Sequence, residues 1–328
     1  MEWKKRHMRC LALCVALAVL LVGQAWAAIP KQLIAGGHTV GIRMQTEGVV
    51  ITGFDASGSA AEKAGLRAGD VIRMVNHTPV EDAAALRELL EESDGAATVE
   101  AERGDKTVEV LVQPQKDGEV RLGAYIRDSI AGIGTVTFYD PETGLYGALG
   151  HGISDQSTMT LLPLHEGTLV ESSVVSVVQG QVGAPGQLQG AFDLRQTVGS
   201  VTANTERGIF GTMEQAPEGE LMPVAENSEI TTGPAIILSN VDGKQTQAYT
   251  VEISRLYPFS KDSRNLLLQV TDERLLEKTG GIVQGMSGSP ILQNGKIVGA
   301  VTHVLVNDPT RGYGIFAENM LKAVYDAA

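Results

Sequence analysis

The sequence predicts a mainly β protein with a few helices, divided into two domains. Three observations carry this. At 328 residues the chain is longer than one core ordinarily serves. It is 43% hydrophobic but only 5% aromatic, with 38 glycines, which suits sheets joined by tight turns better than a helical bundle. Short β-branched runs also recur between Gly, Asn and Asp turns, while few segments carry a helical period.

The first segment reads as a targeting signal. Lys4, Lys5, Arg6 and Arg9 precede an apolar run from Cys10 to Val22, followed by the small-x-small site Ala25-Trp26-Ala27. That run of 13 residues is short for a bilayer span, so residues 1–27 are expected to be a cleaved signal peptide rather than a retained anchor. Membrane contact is expected only through this segment, were it retained. Both cysteines, Cys10 and Cys14, fall inside it, which excludes disulfides and a Cys nucleophile from the mature chain. Loss of four basic residues and Glu2 with the signal takes the net charge from −13 to −16. Phosphate backbones and anionic headgroups would repel such a chain, so no nucleic-acid partner is expected. Nor is any cofactor or metal.

Residues 36–115 read as strands around one clear helix. Val49-Val50-Ile51, Val71 to Val75 and Val108 to Val112 are β-rich. From Asp82 to about Glu92, Ala83, Leu86, Leu89 and Leu90 fall on one helical face and Glu88, Glu91 and Glu92 mostly on the other. Val40-Gly41-Ile42, Ala64-Gly65-Leu66-Arg67-Ala68-Gly69-Asp70-Val71-Ile72 and Val75 to Val80 together resemble a PDZ domain of the bacterial protease-associated type. The resemblance implies a peptide ligand added as an extra strand, with Val40, Gly41 and Ile42 as the loop that presents N–H groups to its carboxylate. Arg43 reads as a solvated surface residue and His77 as an exposed turn residue. The polar stretch Gln113 to Glu119 marks the domain boundary.

In residues 120–328 the β-rich segments Gly134 to Tyr139, Val174 to Val178, Ala235 to Leu238, Tyr249 to Ile253, Leu266 to Thr271 and Ile297 to His303 suggest a barrel or sandwich. Only Asp272 to Lys278 and Ala317 to Ala327 read as helices.

The sharpest chemical signal is Gly285-Met286-Ser287-Gly288-Ser289-Pro290. A nucleophilic serine needs its hydroxyl lifted out of a tight turn with backbone N–H groups converging beside it, and flanking glycines permit that backbone. The run resembles the Gly-Asp-Ser-Gly-Gly-Pro turn of chymotrypsin-like proteases, which implies attack by Ser287 and an oxyanion hole from the N–H groups of Gly285 and Ser287. Met286 stands where zymogen-type relatives carry an aspartate, so activation by pairing with a new N-terminus is not available. Ser289 excludes the Gly-x-Ser-x-Gly elbow of α/β-hydrolases.

A base must precede the serine in this order, leaving His151 and His165 within the second domain. His151 lies in Gly150-His151-Gly152 at the end of an apolar segment, where it can reach a cleft; His165 follows Pro163 in an expected loop. His303, after Ser287 in an expected strand, reads as a packed strand histidine, with a place lining the substrate cleft by the chymotrypsin-like analogy as the alternative. Asp155, Asp193, Asp242, Asp262 and Asp272 all lie between His151 and Ser287, and spacing does not choose among them. Asp272 starts a helix, where a carboxylate equally suits an N-cap.

Further motifs decide the reading. Arg127 to Thr135, Gly150-His151-Gly152, Thr271-Asp272, Gly280 to Pro290, Val301 to Val304 and Asn307-Asp308-Pro309 resemble the stage IV sporulation protein B peptidase family along essentially the whole chain. The resemblance implies a chymotrypsin-like β-barrel peptidase domain and the triad His151, Asp272 and Ser287. It further implies an endopeptidase exported across the bacterial cytoplasmic membrane into the forespore intermembrane space. Such an enzyme cleaves itself and cuts a membrane-bound sporulation regulator, stage IV sporulation protein FA, thereby releasing intramembrane proteolysis and activating a sigma factor. Two alternatives stand beside this reading: a catalytically inactive PDZ scaffold, and a general envelope quality-control protease.

Overall fold

The computed structural model describes residues 30–326 apart from 56, 57, 94 and 118, so the expected signal segment lies outside the described residues. The chain is mostly β, with 55% strand against 12% helix.

Two strands open the chain, β1 (Gln32–Ala35) and the long β2 (Thr39–Phe54). A small domain follows: α1 (Ala60–Ala64), β3 (Val71–Val75), β4 (Thr78–Pro79), α2 (Ala83–Glu92), β5 (Ala97–Arg103), β6 (Lys106–Val112), β7 (Gln115–Asp117) and β8 (Glu119–Arg121). The long β9 (Ala124–Tyr139) then leads into β10 (Leu145–Ala148), β11 (Leu164–Val178), β12 (Gln187–Thr205), β13 (Gly208–Met213) and β14 (Leu221–Pro223). The last third holds β15 (Gly233–Ser239), β16 (Gln247–Leu256), β17 (Leu266–Val270), α3 (Glu273–Thr279), β18 (Pro290–Gln293), β19 (Lys296–Leu305), β20 (Asp308–Phe316) and α4 (Ala317–Asp326).

These strands form two closed barrels. The first runs β9-β10-β13-β12-β11-β2 and closes where β2 pairs with β9. The second runs β15-β16-β17-β20-β19-β18. Period-two alternation drives both. In β16, Tyr249, Val251 and Ile253 point inward while Thr250, Glu252 and Ser254 face out. Met320 and Leu321 of α4 pack with Phe138 and Phe210 of the first barrel and Ile297 and Ala300 of the second, joining the two cores.

The small domain is an insertion within the first barrel, whose strands lie on both sides of it in sequence. β2 pairs with β9 from Thr39↔Thr135 to Gln45↔Ser129, and again from Val50↔Arg127 to Phe54↔Ala124 after a break in register. Between these stretches β3 joins β2 through Val49↔Ile72 and Val50↔Val71, and β5 and β6 follow. The expected boundaries of 36–115 and 120–328 therefore need correction at the start. Thr39 to Gln45 of β2 belong to the barrel, because their neighbours are β9 and β11.

Of the expected helices, α2 is capped by Asp82, whose carboxylate accepts the Ala85 N–H at 2.8 Å, and it buries Leu86 and Leu90, four residues apart on one face. The short α1 carries too few periodic residues to be predicted. His77 is exposed in its turn, and His165 is exposed at the start of β11 rather than in a loop.

Candidate active site

β9 carries the support of the Ser287 turn. The Thr135 N–H donates to the Ser287 carbonyl at 3.1 Å, the Thr135 hydroxyl to the Gly285 carbonyl at 2.8 Å, and the Thr137 hydroxyl to the Gly288 carbonyl at 2.8 Å. A first-barrel strand thus grips the second-barrel turn at three carbonyls. Gly285 and Gly288 both have φ +97°, and a Cβ on Gly288 would run into the Thr135 carbonyl and the Leu149 N–H. The N–H groups of Gly285 and Ser287 donate to no other described residue, while the Met286 and Gly288 N–H groups are spent on Val283 and Val301. The two N–H groups expected to form the oxyanion hole are therefore the two not engaged within the fold.

His151 arrives from the other side of the same seam. The Leu149 N–H donates to the Thr135 carbonyl at 3.2 Å, and Gly150 packs so closely on Thr302 that a Cβ there would stand 2.9 Å from its methyl. His151 is half-buried, with Nδ1 2.9 Å from the Gly152 carbonyl. A carbonyl only accepts, so Nδ1 carries the proton and Nε2 keeps its lone pair. Burial pushes the imidazole below its ordinary pKa, against the Gly152 carbonyl, which raises it. A neutral ring with a basic Nε2 is the form a general base requires.

Asp272 is placed elsewhere. Its carboxylate caps α3, accepting the Arg274 N–H at 3.0 Å and the Leu275 N–H at 3.4 Å; it also accepts the Thr250 N–H at 3.2 Å and pairs with the Arg274 guanidinium at 2.8 Å. Arg274 foremost, with these N–H groups, holds the carboxyl below the ordinary range despite burial. None of its bonds reaches His151, so the expected contact between these two residues is not made in this structure.

His303 is the residue that does meet His151. Its ring centroid lies 5.0 Å away with the planes tilted by 39°. It follows Thr302 in β19, and the Thr302 carbonyl accepts the Ser287 hydroxyl at 2.8 Å. The sequence alone sets His303 among packed strand residues, with a place lining the substrate cleft as the alternative, and does not pair it with His151. Its signal is weak, a lone histidine sixteen residues beyond the serine with no flanking glycine.

The expected peptide loop also moves. Val40, Gly41 and Ile42 lie inside β2 with partners on both edges, β9 through Val40↔Gly134, Gly41↔Ile133 and Ile42↔Gly132, and β11 through Glu171↔Val40, Val170↔Gly41 and Leu169↔Ile42. The side chains of Val40 and Ile42 belong to the first barrel's core. A strand paired on both edges has no N–H groups to offer a ligand, so this assignment is corrected. The same apolar-Gly-apolar pattern recurs at Leu122-Gly123-Ala124, where it lines a groove of about 410 Å³ between α2 and the first residues of β9. Leu86 and Leu90 lie along one side and Tyr125 and Ile126 along the other, with Asp55 and Arg87 also lining it. From Ala124 to Arg127, β9 pairs with β2 on one edge and with no described strand on the other. A domain boundary at residue 115 cuts this loop away from its domain.

Comparison with known proteins fits this layout. The SpoIVB peptidase S55 family model matches residues 118–321 and a PDZ domain model matches residues 56–102, in the expected order. The periplasmic serine endoprotease DegP of Salmonella typhimurium is 36% identical over 69 residues, 21% of this chain and 14% of that protein's length. Among solved structures, the Rv3671c protease in its inactive form is similar with a TM-score of 0.35 and 14% identity, over 59% of this chain and 84% of that one. The chain carries a PDZ domain, and since the peptidase match spans more than half of its length, it belongs to the SpoIVB peptidase S55 family.

Proposed function

We propose that the chain is an exported serine endopeptidase in which Ser287 attacks and His151 serves as base, acting on a membrane-bound regulatory protein during sporulation. The convergence on Thr135 of the Gly285 to Gly288 turn and of Leu149, two residues before His151, carries this reading. His151 Nε2 takes the Ser287 proton as Oγ bonds to the scissile carbonyl carbon, and the carbonyl electron pair moves to oxygen beside the Gly285 and Ser287 N–H groups. On collapse the proton passes to the leaving amine; water then repeats the sequence on the acyl-enzyme.

The groove beside α2 is where a peptide adds as a strand to β9, its terminal carboxylate facing Leu122-Gly123-Ala124 and its last side chain between Leu86 and Leu90. Export through residues 1–27, delivery to the forespore intermembrane space and self-cleavage belong to the same proposal. They rest on the resemblance to the sporulation peptidase family.

The test is digestion of the extracytoplasmic part of a membrane-tethered regulator resembling stage IV sporulation protein FA, with casein in parallel. One or a few cuts in the regulator, lost in Ser287→Ala, is the expected result. Extensive digestion of casein would favour envelope quality control, and no cleavage of either protein would favour an inactive scaffold.

A further inference from the structure

Within the described residues, His303 Nδ1 is one of three buried side-chain polar atoms without a hydrogen-bond partner, the others being Arg73 Nε and Asn227 Oδ1. Buried polar groups are nearly always paired, because leaving one unpaired costs a substantial fraction of a domain's stability. An orphan ring nitrogen at a random site in a strand would be a defect. This one stands next to the reacting groups, 5.0 Å ring to ring from His151 and one residue beyond the carbonyl that holds the Ser287 hydroxyl.

The surroundings show what His303 is held for. Thr302 is fixed on its far side by its own hydroxyl, which donates to the Ser263 carbonyl at 2.8 Å, so β19 cannot slide away from Ser287. The charged and titratable groups acting on His303 are His151, Arg264 and Asp262, and Arg264 is itself stacked over Tyr313, the register partner of His303. Burial foremost, then His151 and Arg264, push the His303 imidazole down to about 4 against the pull of Asp262. The ring is thus neutral at ordinary pH. It can place its proton on Nε2 and leave a lone pair at Nδ1.

We infer that His303 is a positioning residue for the hydrolysis: packed ring to ring against His151, it holds the base in place beside the Gly152 carbonyl that keeps the Nδ1 proton, and its unpaired Nδ1 favours the imidazolium that forms when His151 accepts the Ser287 proton. No proton crosses to His303. The proton that leaves Ser287 Oγ stays on His151 Nε2 until the leaving amine takes it, and His303 stabilises the positive ring in between. The role adds packing and an unpaired lone pair to the Gly152 carbonyl, which is what accepts the His151 Nδ1 proton.

This inference rests on the Ser287 and His151 reading, and the test separates the two. The full mature chain is treated with a fluorophosphonate probe, and the maximal labelling rate of Ser287 is determined apart from the concentration giving half that rate. Three variants are compared with wild type: Ser287→Ala, His303→Phe, which keeps ring volume without nitrogen, and His303→Asn, whose Oδ1 stands near the position of Nδ1. The expected result is a maximal rate lowered about tenfold or more in His303→Phe, with half-saturation nearly unchanged, and most of the rate restored in His303→Asn. His303→Phe labelling at the wild-type maximal rate, or His303→Asn as slow as a folded His303→Phe, overturns the inference while leaving Ser287 in place. Should His303→Phe fail to fold, the rate of His303→Asn decides alone, a tenfold loss counting against it. Absence of label on the wild type removes both readings together.

Discussion

Ser287 donates its hydroxyl to the carbonyl of Thr302 across 2.8 Å, so its side chain is docked on β19, one residue before the histidine that meets His151. A backbone carbonyl accepts a hydrogen bond but does not take the proton, so Ser287 must leave Thr302 before it attacks. Thr135 of β9 holds the turn that carries Ser287.

β9 is continuous from the peptide groove at Ala124 to Ile126 to the grip at Thr135. A peptide with a free apolar C-terminus bound in the groove is expected to change the fluorophosphonate labelling rate of Ser287 about fivefold or more, the range of ordinary coupling between sites. Ala83→Trp should abolish the response by filling the groove from its rim. A labelling rate indifferent to a peptide that calorimetry shows to be bound would disconnect the two sites.

Asp272 tests whether the cap or the charge matters. Asparagine caps nearly as well as aspartate, and an exposed partner such as Arg274 contributes little, so Asp272→Asn is expected to shift stability by about 1 kcal/mol or less and turnover by no more than about threefold. Asp272→Ala should cost roughly 0.5–2 kcal/mol in urea unfolding through loss of the cap. A collapse of turnover in a stable Asp272→Asn would restore the acid role that the family resemblance implies.

Gly288 has no room for a side chain and a φ of +97°. Gly288→Ala is expected to cost about 2 kcal/mol or more and to lower labelling of Ser287 by about two orders of magnitude, since the turn can accept Cβ only by leaving Thr135 and Leu149. Thermal unfolding and labelling on the same sample check both. Wild-type labelling would show that the turn tolerates a different backbone.

The histidines make stability depend on pH in a definite direction. His151 and His303 both lie below the ordinary 6.5 in the folded chain, His303 at about 4, so between these values the unfolded chain binds more protons. Their contribution is present in full above pH 6.5 and is lost as pH falls toward 4. In urea titrations at stepped pH, wild type should lose stability more steeply than His303→Phe across this window. Parallel slopes would refute the assigned protonation.

The sequence speaks clearly where a local signal is also the structural cause. Gly285 and Gly288 permit the turn, Asp82 and Asp272 cap the helices they precede, and alternation in segments such as Tyr249 to Ile253 fixes which face is buried. It is silent where partners are far apart. Nothing near Val40 says that both edges of its strand are taken by β9 and β11, and nothing near Leu122 says that it completes a groove with α2, because such pairings belong to topology. The pairing of His303 with His151 escapes a sequence reading for the same reason. Its meaning lies in a neighbour more than a hundred and fifty residues earlier.

The central claim is that Ser287 is a nucleophile activated by His151. Intact-mass measurement of fluorophosphonate-treated wild type, Ser287→Ala and His151→Ala, with the label mapped by peptide fragmentation, tests it most directly. The account predicts one label on wild type, located at Ser287, none on Ser287→Ala, and labelling of His151→Ala slowed about a hundredfold or more. A label on another residue, or His151→Ala labelling as fast as wild type, would contradict it.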